Sequence, residues 1–262
     1  MTRIYNKDLK RLTALQKEVA GISPALARCY PVAIVVDGTI LVYDVNPGGE
    51  YQFIKQISAP MAMPSGVRAA FQLADFGGRI ACVVSQDVFD SCEGYVSLLH
   101  EFVHCYQYET CEQDIKMRLD IARKAQEVYD VMWEIEYPFP YRSKNFTREY
   151  VNFLSAIGKE DHITVRETRK RLRTYLGVHD YEYMVWQEWK EGFARWVENR
   201  VREHLDLPGN NKGLQQPFSR VLFYVGGAAY IDLLVKEQTS LIENLGSLFW
   251  EIFTFGTSKK AV

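Results

Sequence analysis

RIACVVSQDVFDSCEGYVSLLHEFVH, residues 79–104, changes character halfway along. Residues 79–84 are largely β-branched or small and apolar, and they follow a Gly77-Gly78 pair, as a strand leaving a turn does. Beyond residue 90 the apolar residues, Leu98, Leu99, Phe102 and Val103 among them, take up helical spacing. Asp90 with Glu93 three places later has the form of a capping box, so the pattern predicts a helix over 91–111. A strand feeding directly into a long helix at this point divides the chain into a sheet-rich part, 1–90, and a helical part, 91–262.

Working outward, the N-terminal side reads as one helix and several strands. Leu9, Leu12, Leu15, Val19 and Ile22 recur at helical spacing, and Gly21 and Pro24 close that helix. VAIVV (32–36) and TILVYDV (39–45) flank Asp37-Gly38, a strong signal for a tight hairpin. After the turn at Asn46-Pro47-Gly48-Gly49, YQFIKQI (51–57) alternates as a third strand, and residues 79–84 make a fourth. On the C-terminal side the pattern predicts helices near 112–135, 145–157, 161–176, 180–204, 216–237 and 240–254. Pro138/Pro140, Gly158, Gly177, Pro208-Gly209 and Thr239-Ser240 separate them. Without repeats or linker-like composition, the expectation is one α+β domain over 1–262, a small antiparallel N-terminal sheet followed by a predominantly helical body.

Composition narrows the function classes. With 262 residues, 47% of them hydrophobic, the chain can bury a substantial core without staples. Lys+Arg at 31 against Asp+Glu at 33 leaves a formal charge of −2, so no global field favours nucleic acid or an anionic membrane. Any basic contact has to be local. No stretch approaches about 18 uninterrupted apolar residues, and MTRIYNKDLKRLTALQKEVAGIS (1–23) lacks a signal-peptide core. Five cysteines, an odd number, fit reduced thiols, and the expected location is cytoplasmic. The basic run VRETRKRLR (165–173) reads as a solvated helix face.

The chemistry lies in His100-Glu101-Phe102-Val103-His104. Residues i and i+4 of a helix share a face about 6 Å apart along the axis, so both imidazoles can reach one ion. Glu101, rotated about 100° from His100, comes beside such an ion without entering its first shell. A zinc-bound water has its pKa lowered toward about 7, and a neighbouring carboxylate can take its proton. The competing reading is an amphipathic helix whose two histidines are partly buried and hydrogen-bonded. For a third ligand, His162, His179 and His204 sit near predicted helix ends as solvated or capping residues. Cys92 lies about 12 Å from His100 along a helix axis, and Cys105 points about 100° away from His104. Cys82 and Cys111 stay open as ligands, though each reads more readily as a small buried hydrophobe.

WQEWKEGFARWVENR (186–200) serves better. Trp186, Trp189, Phe193, Trp196 and Val197 form an aromatic stripe. Glu191 lies almost opposite Trp189, with Gln187, Ala194 and Glu198. Gly192 lowers helix stability by about 1 kcal/mol relative to Ala, which suggests close approach of another element.

The pair His100-Glu101-Phe102-Val103-His104 and Glu191-Gly192-Phe193-Ala194 resembles the gluzincins, zinc metallopeptidases of the thermolysin and membrane-alanyl-aminopeptidase kind. The resemblance covers only these two motifs and the strand before the first. It implies a zincin-like fold, with His100, His104 and Glu191 as ligands of Zn2+ and Glu101 as general base and acid. Residues 80–85 would be the edge strand along which an extended substrate adds its backbone. Arg195 stands where the thermolysin-like pattern has an aspartate, and Glu188 remains a competing third ligand. Tyr224, ahead of Gly226-Gly227, is similar to the oxyanion-donating tyrosine of several zincin-like families; a core tyrosine on a glycine-notched helix is the alternative. The expected function is that of a metallopeptidase acting on a peptide or protein substrate. A zinc hydrolase of a non-peptide amide or ester, and a noncatalytic zincin-like binding domain, are the alternatives.

Overall fold

The computed structural model describes residues 5–59 and 62–254, which fall into two compact units. The first contains residues 5–109 and 197–209, the second 110–196 and 210–254. The chain is α+β, as its sequence indicates.

The first unit opens with helix α1 (Asn6–Val19), which buries Leu9, Leu12 and Val19. Gln16 takes the inward place between them, and its side-chain amide donates to the Leu26 carbonyl. Strands β1 (Val32–Val36) and β2 (Thr39–Val45) form the expected hairpin. Asp37 and Gly38 turn it with φ of 46° and 76°, the left-handed region that an Asp-Gly pair tolerates. At the next turn the Asn46 side-chain oxygen accepts the backbone N–H groups of Gly48 and Glu50, leading into β3 (Tyr51–Ser58).

Two expectations about the sheet are overturned. It contains a further strand, β4 (Arg68–Leu73), which pairs antiparallel with β5 (Arg79–Ser85). The order is β3-β2-β1-β5-β4, with β1 and β5 parallel, so the sheet is mixed rather than antiparallel. RAAFQL carries little β-branched or aromatic character, which is why it escapes a pattern search. The second correction follows: residues 80–85 are no edge strand, because Val83 pairs with Ala33 on one side and Ala69 on the other. The sheet edges among the described residues are β3 and β4.

Ala33, Ile40, Val42, Ile57, Leu73, Ala81 and Val83 build a core cluster on one face of the sheet. On the other face lie Val32, Ile34, Leu41, Cys82 and Val84, also buried, and helix α2 (Cys92–Gln107) packs there, the Cys82 thiol 3.8 Å from the Leu98 carbonyl. Burial on both faces explains the continuous apolar runs of β1 and β5.

The second unit is helical among its described residues. A π-turn at Tyr108–Glu112 leads from α2 to α3 (Gln113–Lys116), followed by α4 (Asp120–Glu127) and α5 (Trp133–Glu136). The single helix expected over 112–135 is thus broken. Leu119 is extended, its successor helix starts where Glu182 accepts the Ile121 N–H at 2.8 Å, and Tyr129 turns the chain with φ of 57°. Long-range partners override the local helical preference. Then come α6 (Lys144–Gly158), α7 (His162–Tyr175), α8 (Val178–His204), α9 (Val221–Glu237) and α10 (Leu245–Thr254). The last two start later than the pattern predicts. Trp186, Trp189 and Phe193 of α8 are fully buried, as their stripe suggests. A Cβ on Gly192 would stand 2.7 Å from the Gly227 backbone, so this glycine pair allows α8 and α9 to touch main chain to main chain.

Candidate metal centre

Helix α2 is held by its apolar side: Leu98, Leu99, Phe102, Val103 and Cys105 are all buried. Its cap is Ser91, whose hydroxyl accepts the Gly94 N–H at 3.0 Å. The expected Asp90/Glu93 box is not used, since Asp90 closes the preceding 3-10 turn.

His100 and His104 emerge on one face, with ring centroids 4.9 Å apart. Each has its Nδ1 committed. That of His100 lies 3.1 Å from a carboxylate oxygen of Glu198, and that of His104 lies 2.9 Å from the Gln107 side-chain oxygen. An ionised carboxylate and an amide oxygen can only accept, so both Nδ1 atoms carry hydrogen and coordination falls to Nε2. Histidines that ligate metals are oriented in this way by carboxylate or carbonyl partners. Glu198 is fixed in turn by the Arg202 Nε, which donates to its other oxygen at 3.0 Å.

Ligand atoms of His100, His104 and Glu191 all lie within 4.8 Å of one another. Two atoms bound at about 2 Å to one ion can be no more than about 4 Å apart, so the trio stands slightly wider than the shell of a single ion. Two imidazoles and a carboxylate form a donor set that zinc accepts, with a fourth position left for water. His104 is buried, while His100 and Glu191 are half-buried. Glu101, next to His100, is only 7% exposed and stands within electrostatic range of the Cys82 thiol.

Glu188, the competing candidate, is not part of this cluster. It is fully buried in the second unit, where it accepts Tyr150 Oη at 2.8 Å and pairs with Arg169 at 2.7 Å. Tyr224 directs its hydroxyl at Glu191, while Arg195 and Arg220 lie 5.6 and 5.7 Å from its ring centre. Burial, and then the charge of Glu191, push the Tyr224 pKa well above that of an ordinary phenol, so it keeps its proton. Arg195, at the position of the expected aspartate, instead donates to the Asn210 carbonyl at 3.1 Å. Glu198 supplies the histidine-orienting carboxylate from two turns beyond Glu191.

The remaining candidates have other uses. His162, His179 and His204 pair with Glu237, Asp120 and Glu18 at 2.6, 2.7 and 2.9 Å. The basic run is more than a solvated face, because Arg169 is its buried anchor. All five cysteines are free thiols.

In the sequence Glu198 stands on the polar strip with no sign of a role, and nothing marks Gln107. Their available signals were spacing alone, seven residues past Glu191 and three past His104. Comparison with protein families, with characterised proteins and with solved structures finds no match to this chain.

Proposed function

We propose that this chain is a zinc-dependent hydrolase of amide bonds, a metallopeptidase of the gluzincin type. The observation that carries the reading is the grouping of His100, His104 and Glu191 with both histidine Nδ1 atoms already engaged by Glu198 and Gln107. Zinc bound by these three residues would supply Lewis acidity, polarising a carbonyl and acidifying a water. Glu101 accepts the proton from the attacking water and returns it to the departing amine. Tyr224 offers its hydroxyl to the oxygen on which negative charge develops, drawing it away from Glu191. An extended substrate adds to the outer side of β4, the edge strand that packs against α2, rather than to β5.

Metal analysis of protein purified without chelators tests the centre before any substrate is chosen. One equivalent of zinc is expected, lost in His100→Ala and retained in Glu101→Gln. The latter should remain folded and lose hydrolysis by about 100-fold or more. A folded, metal-free protein indifferent to both changes would reduce α2 to a packing helix and end the proposal.

A further inference from the structure

A cavity of about 510 Å³ in the second unit has a lining unlike that of the chain as a whole. Arg142, Lys144 and Arg148 bring three positive charges to it, and no aspartate or glutamate lines it. Tyr141, Pro217 and Phe218 provide apolar walls. On a protein of formal charge −2 this is a local concentration of positive charge. Lys144 opens the first turn of α6, where the helix dipole adds to the same sign. Among the described residues Arg142 and Lys144 have no carboxylate partner, whereas Arg148 lies 3.1 Å from Glu149.

The cavity wall is linked to Glu191 through residues of the same unit. Tyr141, in its wall, is within electrostatic range of Arg220 and Tyr224. Tyr224 in turn directs its hydroxyl at Glu191 and has Arg220 and Arg195 over its ring. A run of positive charge therefore extends from the cavity to the tyrosine beside Glu191. Such a path attracts and orients an anion, because like-signed groups on low-dielectric walls reinforce one another.

We propose that this cavity is a substrate subsite for carboxylate groups, which would make acidic peptides the preferred substrate class. The inference rests on the hydrolase reading for the word substrate, and on the cavity alone for the binding. Its volume falls within the roughly 300–1,000 Å³ of small-ligand sites, enough for a short peptide end. The carboxylates could be acidic side chains or a free C-terminus, and arginine suits either by bidentate pairing.

Binding of labelled hexaglutamate, with its C-terminus free or amidated, and of amidated hexaglutamine separates these cases. Fluorescence anisotropy with the full-length Glu101→Gln protein avoids turnover. At low ionic strength the hexaglutamates should bind about tenfold more tightly than hexaglutamine, with the advantage shrinking as salt screens it. Adding Arg142→Gln and Lys144→Gln together should erase the preference, and Arg142→Glu should reverse it; both positions are exposed, so folding is checked by an unchanged melting temperature. An equal gain for the amidated peptide assigns the site to side chains; a gain confined to the free form assigns it to the terminus. A preference that survives the double substitution overturns the proposal. Repeating the titration after chelation separates the two readings: a preference that persists without metal belongs to the cavity alone, whereas the hydrolase reading fails if protein purified without chelators holds no zinc.

Discussion

At His100 the consequence of one distant residue can be measured. Glu198 meets it from 98 positions along the chain, holding the ring so that Nε2 is the atom left for a metal. Removing such an orienting partner commonly lowers metal affinity by about 10–100-fold, and Glu198→Ala should do so in competition with a chromophoric chelator. Glu188→Gln should leave zinc affinity unchanged, because Glu188 faces Arg169 and Tyr150. Arg169→Met should destabilise the protein by about 3–5 kcal/mol in urea titration, since it strands the Glu188 carboxylate without its partner. Among individual residues, His100, His104 and Glu191 are legible in the sequence because helical spacing and a glutamate on a polar strip are local signals. Gln107 and Glu198 are not, since the first looks like any polar helix residue and the second acquires its meaning only by folding back onto α2. The choice between Glu188 and Glu191 likewise depends on which side of α8 meets Arg169, a tertiary fact.

Helices and strands divide along the same line. The hairpin at Asp37-Gly38 and the aromatic stripe of α8 carry strong local chemistry, and both form as their residues suggest. Gly192 signals a close helix approach, and Gly227 is what it meets. β4 escapes notice because its arginine, alanines and glutamine have little strand preference, and overlooking it makes β5 seem an edge. The interrupted stretch 113–136 looks helical throughout, yet Glu182 and the lysine partners of Glu134 secure it in three pieces. Gly192→Ala provides a test of sign at this level. In an open helix the change stabilises by about 1 kcal/mol. Here the added methyl would meet the Gly227 backbone at 2.7 Å, so a net loss of about 1–3 kcal/mol in thermal or urea unfolding is expected.

Over the whole molecule, charge is nearly balanced, and response to acid depends on where the ion pairs lie. Burial raises the Glu134 pKa, but Lys190 and Lys116 more than offset it and hold the carboxyl at about 2, against an ordinary 4.5. A depressed folded value means that its contribution to stability is complete above about 4.5 and is lost as pH falls toward about 2. Unfolding followed by tryptophan fluorescence should show that loss in wild type, and a shallower one in Glu134→Gln. The α+β character of the chain is legible because the change near residue 90 is a change of period. The mixed sheet is not, since strand order is settled by pairings between distant segments. One architectural detail bears on biosynthesis. The first unit is discontinuous, completed by residues 197–209, among them the carboxylate that orients His100. During translation its five strands and α2 leave the ribosome long before that closing segment does, and about 90 residues of another unit intervene. A nascent chain arrested before residue 197 therefore carries His104 beside its Gln107 partner but His100 without Glu198, and the proposed centre would gain its final geometry only late in synthesis.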